Sequence, residues 1–317
     1  MLYGSGLRDP VSGRNLKMTI SVVMPVKNGA RYIAEAIRSA LAQGDVVREI
    51  IVVDDGSIDS TVAVVRAIND PRIIIVPNRT RGLPAGRNTG AALCTSGWLH
   101  FLDSDDRMQP GAYARLLAAA KAAPASAVVY GDYERVDEKG GPLGSRRLLR
   151  ARRKPSGFIL PKILRGNFMI VGAQLVRRSD FERVGGFEES LPYCEDWHMW
   201  CRLAAVSDFT HAHGLHALDY RMHGASMMHA KPRPFSDFLP AVDAVFADPF
   251  VNMRMSRDDL SALRPIAEAS LMAYTATESI RLHAYANAAA SAFRAMLRAP
   301  SQTPKLAARM VGTVFGL

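Results

Sequence analysis

Along the first 135 residues, short apolar runs alternate with helical stripes. Ile20 to Met24 is apolar at nearly every position and rich in β-branched residues, and Pro25 breaks it. A run that is apolar on both faces suits a parallel strand buried between two layers. Ile33, Ile37 and Leu41 recur at i, i+4 and i+8, which predicts a helix with one buried stripe ending near Gly44. The same rhythm predicts strands at Glu49 to Val53, Arg72 to Val76, Trp98 to Leu102 and Ser126 to Tyr130. Helices are expected between them, at Thr61 to Ile68, Leu83 to Thr95 and Pro110 to Ala123. This alternation predicts βαβ units with right-handed crossovers, hence an α/β fold whose mostly parallel central sheet is flanked by helices.

Beyond residue 135 the rhythm thins. Gly140, Gly141, Pro142 and Gly144 precede a basic run, Arg146 to Lys154, with six cations in nine residues. That run reads as a solvated connection or as a flank of an anion-binding site. A strand is expected at Gly172 to Val176, a helix at Cys194 to Ala205 and a last strand at His216 to Arg221. From Ser256 the chain is Ala-rich and helical, with Asp259 placed to complete a cap, and Leu260 to Leu297 predicts one helical hairpin. Lys305 to Leu317 is amphipathic; packing on that hairpin is the expected outcome, and lying on a membrane surface is the alternative. Residues 1–17 have no periodicity and are expected to be a disordered leader, with Met18 a candidate start.

Composition narrows the class. The chain has 317 residues, 48% of them hydrophobic and 22% charged, which is the balance of a globular protein. No stretch reaches the roughly 18 uninterrupted apolar residues of a membrane-spanning helix, and the polar N-terminus lacks the apolar core of a signal peptide. Three cysteines (Cys94, Cys194, Cys201) are too few for a disulfide framework. These features lead us to expect a cytoplasmic protein. The net charge of +10 calls for an anionic partner. Nucleic acid is not expected, because the basic positions are not interleaved with aromatic ones.

Two acidic clusters follow two of the predicted strands. Asp54-Asp55-Gly56-Ser57 follows the second, and Asp103-Ser104-Asp105-Asp106 follows the fourth. In a parallel sheet both lie at the same carboxyl edge, where open α/β sheets bind ligands. A lone Asp-rich turn is more often a solvated helix cap. Three carboxylates within four residues repel one another unless a cation intervenes, and Mg²⁺ or Mn²⁺ suits such oxygen ligands together with a diphosphate.

The motifs resemble those of family 2 glycosyltransferases with the GT-A fold. They occur in that family's order: Met24-Pro25-Val26-Lys27-Asn28; Val53 to Ser57 with Asp59 and Thr61; Gly82 and Ala85-Gly86-Arg87-Asn88; Asp103 to Asp106; Glu195-Asp196; and Tyr220-Arg221-Met222-His223. The similarity covers residues 19 to 225. Each motif is weak alone, and six in order are specific. The resemblance implies a nucleotide-sugar site at Pro25, Val26, Asn28, Asp54, Asp55, Ser57, Asp103, Ser104 and Asp105. It makes Asp105 and Asp106 metal ligands, with His223 approaching from the far side, and makes Asp196, with Glu195 beside it, the catalytic base. Arg87 and Arg221 are expected to contact phosphate. The implied organisation is a catalytic domain over 18–228 (nucleotide-binding half 18–135, acceptor half 136–228) and a C-terminal helical region over 229–317.

The activity implied is inverting transfer of a sugar from a nucleotide diphosphate, UDP by default, to an acceptor hydroxyl, with Mn²⁺ or Mg²⁺ as cofactor. The acceptor would be a saccharide, free or lipid-linked, in cell-surface polysaccharide or glycolipid assembly. A lipid-linked acceptor would bring the enzyme to the inner membrane face. Two other classes compete. A sugar-nucleotide nucleotidyltransferase would want a Gly-rich, basic phosphate loop after the first strand, where this chain has Lys27-Asn28-Gly29. A non-catalytic nucleotide or nucleic-acid binder has no need of the Asp103 to Asp106 set together with Asp196. Relatives often carry an acidic residue two positions after the base, and this chain has His198 there. Cys194, His198 and Cys201 share one helix face, but tetrahedral zinc sites draw on more than one segment, so inert buried side chains are expected. His211, His213 and His216 are expected at surface turn or strand positions.

Overall fold

The computed structural model describes residues 18–143, 154–224, 226, 231–304 and 307–308. Strand β1 (Ile20–Val26) lies between β2 (Val47–Asp54) and β4 (Trp98–Phe101), parallel to both, and β3 (Ile73–Pro77) extends the sheet beyond β2. On the other side β4 pairs with β7 (Gln174–Arg177) antiparallel, β7 with β6 (Ser126–Val136) antiparallel, and β6 with β8 (Asp208–Arg221) parallel. A two-residue strand, β5 (Arg107–Met108), closes the far edge against β8. Among the described residues this is one eight-stranded, mostly parallel sheet in the order β3-β2-β1-β4-β7-β6-β8-β5.

Alternation along β1 explains why both of its faces are apolar. Val22 and Met24 point into one core with Ile33 and Ile37 of α1 (Ile33–Leu41) and with Leu116 of α4 (Ala112–Ala122). Val23 points into the opposite core, which holds Trp197 and Trp200 of α7 (Glu195–Val206). Helix α3 (Leu83–Ala91) lies very close to the sheet through Gly86 and Gly90, one turn apart. A Cβ on Gly90 would stand 2.4 Å from Val23 and one on Gly86 3.1 Å from Pro25.

The strand at Pro25 departs from expectation. β1 does not stop there but continues to Val26. Val23 accepts a hydrogen bond from Leu102 N on the β4 side, and residue 25 shares that edge. β4 pairing ends at Val23, so the missing proline N–H faces a place with no ladder to break. β6 and β8 also run longer than their apolar patterns: the largely polar Asp132 to Val136 pairs with His216 to Arg221, and Asp208 to His211 pairs with Ser126 to Tyr130, with bulges along the ladder.

The remaining helices are α2 (Thr61–Arg66), α5 (Leu160–Ile163), α6 (Arg178–Arg183), α8 (Leu239–Ala247), α9 (Pro249–Arg254), α10 (Arg257–Arg281) and α11 (Tyr285–Arg298). Ser256 caps α10 as expected, its Oγ accepting from Asp259 N at 3.1 Å. The predicted hairpin is α10 with α11, joined through Ala269, Ala273 and Ala295. Leu260, Leu263 and Leu271 of α10 belong to the core that holds Trp197 and Trp200. The basic run lies outside the described residues except for Lys154, and the segment Lys305 to Leu317 does so except for 307–308.

Candidate functional site

Because β2 and β4 both run parallel to β1, the loops leaving the three strands emerge on one edge. The first two loops are tied together. Ser57 Oγ accepts from Asn28 N at 2.9 Å, Asn28 Oδ1 accepts from Ile58 N at 2.9 Å, and Thr61 Oγ1 accepts from Gly29 N at 2.9 Å. Asn28 adopts a left-handed backbone with φ +54°, a conformation asparagine tolerates better than most residues. Asp54 Oδ1 accepts from Ser57 N, three residues on, at 3.2 Å and holds this turn closed. Asp55 Oδ1 accepts from Asn78 Nδ2 at 2.7 Å and from Gly82 N at 3.3 Å. Pro25 and Val26 are buried beneath these loops, and α3 packs against Pro25.

The turn after β4 concentrates charge. Asp106 is only 1% exposed; its Oδ1 accepts from Arg221 N at 2.9 Å and its Oδ2 has no partner. Burial, reinforced by Asp105 and Asp103, pushes its carboxyl well above the ordinary range. Burial also raises Asp103, against the opposing charge of Arg87. His223 Nε2 lies 2.8 Å from Asp105 Oδ2. Ser104 is half-buried, and Gly29 allows its loop to approach, since a Cβ there would stand 3.2 Å from Ser104 Oγ.

The two arginines are more enclosed than the sequence reading expects. Arg221 is 3% exposed and donates to Asp105 O at 2.8 Å, to Glu138 O at 3.0 Å and to Glu35 Oε2 at 2.7 Å, so its guanidinium fastens the aspartate turn to α1. Arg87 is 1% exposed and spans two carboxylates: Nη2 donates to Asp103 Oδ1 at 2.9 Å and Nη1 to Glu195 Oε1 at 2.5 Å. Burial works to lower its pKa, but the charges of Asp103 and Glu195 outweigh burial and the net direction is upward. Arg87 thus forms a buried bridge between the aspartate turn and the first turn of α7.

On α7, Asp196 Oδ1 accepts from Trp197 N at 2.7 Å and Oδ2 from Asn167 Nδ2 at 2.8 Å. Burial first, then the neighbouring Glu195, raise its pKa to about 7 against the lowering effects of Arg87 and these two hydrogen bonds. A helix N-terminus favours the carboxylate, and here burial prevails. The turn before α7 is held by α3. Asn88 Oδ1 accepts from Phe187 N at 2.8 Å and its Nδ2 donates to Phe187 O at 2.9 Å. Gly186 has φ +78°, and a Cβ there would stand 2.7 Å from Asn88 Oδ1.

The structure thus brings Asp103 to Asp106, Arg87, Glu195, Asp196, Arg221 and His223 to one edge, with Asn28, Asp54, Asp55 and Ser57 on the neighbouring loops. Among the described residues no three metal-ligating side chains form a ready-made cage. The donor set still fits a hard divalent cation, since Asp106 Oδ2 is buried without a partner beside the further carboxylates of Asp105 and Asp103. Sequence reasoning did not find Asn78, Glu35 or Asn167. Asn78 and Asn167 are polar loop residues, which carry no periodic signal, and Glu35 reads as an ordinary polar position of α1. His198 is buried and its Nε2 lies 3.2 Å from Asp248 Oδ2. His211 is 8% exposed on β8, not a surface position, and its Nε2 lies 3.3 Å from Asp132 Oδ1. Among the described residues no helix is long and apolar enough to cross a membrane.

The family model "Glycosyl transferase family 2" matches residues 21–185, more than half of the chain. Succinoglycan biosynthesis protein ExoO of Rhizobium meliloti is 42% identical over 111 residues, which are 35% of this chain and 32% of that protein. An uncharacterized glycosyltransferase of Rickettsia prowazekii is 30% identical over 212 residues, 65% of this chain and 64% of the relative. Chondroitin synthase of Escherichia coli is 26% identical over 210 residues, 64% of this chain and 29% of that enzyme. The chain therefore spans between 29% and 64% of these relatives. Among solved structures, S. aureus TarS 1-349 in complex with UDP-GlcNAc superposes with a TM-score of 0.64 at 17% identity, covering 91% of this chain and 84% of that one, which establishes the shared fold.

Proposed function

The chain belongs to glycosyl transferase family 2, and from that premise we propose that it is an inverting enzyme moving a sugar from a nucleoside diphosphate, UDP in our reading, to a hydroxyl of a growing saccharide. The observation that supports this reading is the Arg87 bridge, which ties the aspartate turn to Glu195, the neighbour of Asp196 on α7. Asn28, Asp54, Asp55 and Ser57 are the residues we assign to the nucleoside, over a floor made by Pro25 and Val26. Asp103, Ser104 and Asp105 are assigned to the diphosphate side. Asp105, Asp106 and His223 would hold Mn²⁺ or Mg²⁺. Such an ion supplies charge stabilisation to leaving phosphate oxygens.

The acceptor oxygen attacks the anomeric carbon on the face opposite the diphosphate. The bond from that carbon to the diphosphate oxygen breaks, and its electron pair leaves with the diphosphate. The acceptor proton passes to the Asp196 carboxylate. A carboxyl titrating at about 7 is half ionised near neutrality, which suits a general base working there. Glu195 stays paired to Arg87 and keeps that guanidinium, and the Asp103 end it holds, in register with the base. Assembly of a surface polysaccharide or glycolipid is the setting we propose, given relatives named for succinoglycan biosynthesis and chondroitin synthesis.

The test is Asp196→Asn, assayed for both donor binding and transfer. We expect UDP-sugar binding with Mn²⁺ to be kept and transfer to fall by about 10² to 10⁴-fold. Turnover at the wild-type rate would remove Asp196 as base.

A further inference from the structure

We propose that Asn167 is a positioning residue for the base, holding the Asp196 carboxylate in its working orientation. This rests on the reading of Asp196 given above. Four observations support it. Asn167 Nδ2 donates to Asp196 Oδ2 at 2.8 Å, from a position 29 residues earlier in the chain. Asn167 Oδ1 accepts from Met169 N at 3.0 Å, so the backbone independently fixes which end of the amide faces Asp196. The segment carrying Asn167 is fastened to the same helix, because Trp197 Nε1 donates to Ile163 O at 2.8 Å. It is also wedged against α10, where Gly166, at φ +147°, leaves so little space that a Cβ would stand 2.5 Å from Ser270 Oγ.

Asp196 is consequently held at both oxygens, one by its own helix and one by Asn167. The charged groups acting on it are Glu195, which raises its pKa, and Arg87, which lowers it. The nearby thiols of Cys194 and Cys201 are both pushed well above their ordinary range by burial, and so stay neutral. Among these neighbours Asn167 is the donor reaching Oδ2 from outside the helix. A hydrogen bond donated to a carboxylate favours the ionised form. Removing that donor must therefore move the Asp196 titration upward. The rate limb set by the base moves with it.

Asn167→Asp is the informative variant. It keeps an oxygen for Met169 N, preserves the shape, and replaces the donor by a carboxyl oxygen that also adds negative charge beside Asp196. The Asp196 carboxyl can be followed by ¹³C NMR in carboxyl-labelled full-length protein, with Asp196→Asn assigning the resonance. In parallel, UDP release from UDP-GlcNAc with Mn²⁺ gives kcat and KM against pH. We expect the midpoint to rise by about one unit or more, with kcat below the limb falling about tenfold per unit, while donor KM is unchanged and the rate recovers above the new midpoint. Asn167→Ala, which removes the donor without adding charge, should shift in the same direction by less. An unmoved midpoint in either folded variant, or a kcat lowered equally at every pH, overturns the proposal. Should Asp196→Asn retain transfer, the base assignment fails on its own, and the titration still reports whether Asn167 controls this carboxyl.

Discussion

Arg87 joins two carboxylate groups that are built differently. On one side, Asp103 to Asp106 sit on an irregular turn between a strand end and β5, held from outside by the backbone and guanidinium of Arg221 and by His223. There a buried oxygen, Asp106 Oδ2, is left without a hydrogen-bond partner. On the other side, Glu195 and Asp196 open a helix, and both Asp196 oxygens are engaged. All of these aspartates share one ordinary carboxyl chemistry. The turn leaves an acceptor free in a crowd of negative charge, and it is the place we assign to a cation. The helix holds a carboxyl that burial lifts to about 7, and it is the place we assign to proton transfer. Environment, not residue type, separates a binding role from a proton-transfer role.

The strongest way to break this comparison is to remove the bridge. Arg87→Met leaves Asp103 and Glu195 facing each other without the buried cation, and truncating one partner of a buried pair typically costs about 3 to 5 kcal/mol. Denaturant unfolding of the variant reads this directly. A loss under about 1 kcal/mol, the range of exposed ion pairs, would mean that the two sides are held together by something else.

Next in size is the metal side alone. Asp106→Asn keeps the shape of the turn and removes its charge. With UDP and Mn²⁺ at 100 times the dissociation constant, the wild type should gain about 2.7 kcal/mol. The variant should lose most of that gain, and an equal thermal shift would take Asp106 out of the cation site.

The smallest effect sharpens the helix side. A carboxyl whose pKa rises on folding from 3.8 to about 7 binds its proton more tightly in the folded state, so stability present at low pH is lost as pH rises through 7. Asp196→Asn has no such charge to bury. Its Tm should match that of the wild type near pH 4 and exceed it by a few degrees at pH 8. A Tm below the wild-type value at pH 8 would show that the ionised carboxylate stabilises the fold.

How much of this was legible in the chain depends on where the information lies. β1, β2 and β4 show as apolar runs because both faces are covered, so nearly every position carries signal. Asp54, Asp55 and Asp103 to Asp106 follow as the polar residues that end those runs. The long halves of β6 and β8 did not show, since their residues are polar and bulged. Asn167 and Asn78 stayed hidden for another reason: a loop amide gains its role only from the atom it meets in space.

The amino-acid order by itself determined the alternating strands and helices, the shared carboxyl edge and the family motifs, because each rests on periodicity or on neighbours within a few residues. Tertiary structure decided the rest. It chose a carboxylate 108 residues away as a partner of Arg87. It also decided how far Asp196 is buried and which donor reaches it. Burial and long-range charge depend on distances that only the folded chain brings to a few ångströms, and those distances set the chemistry of the site.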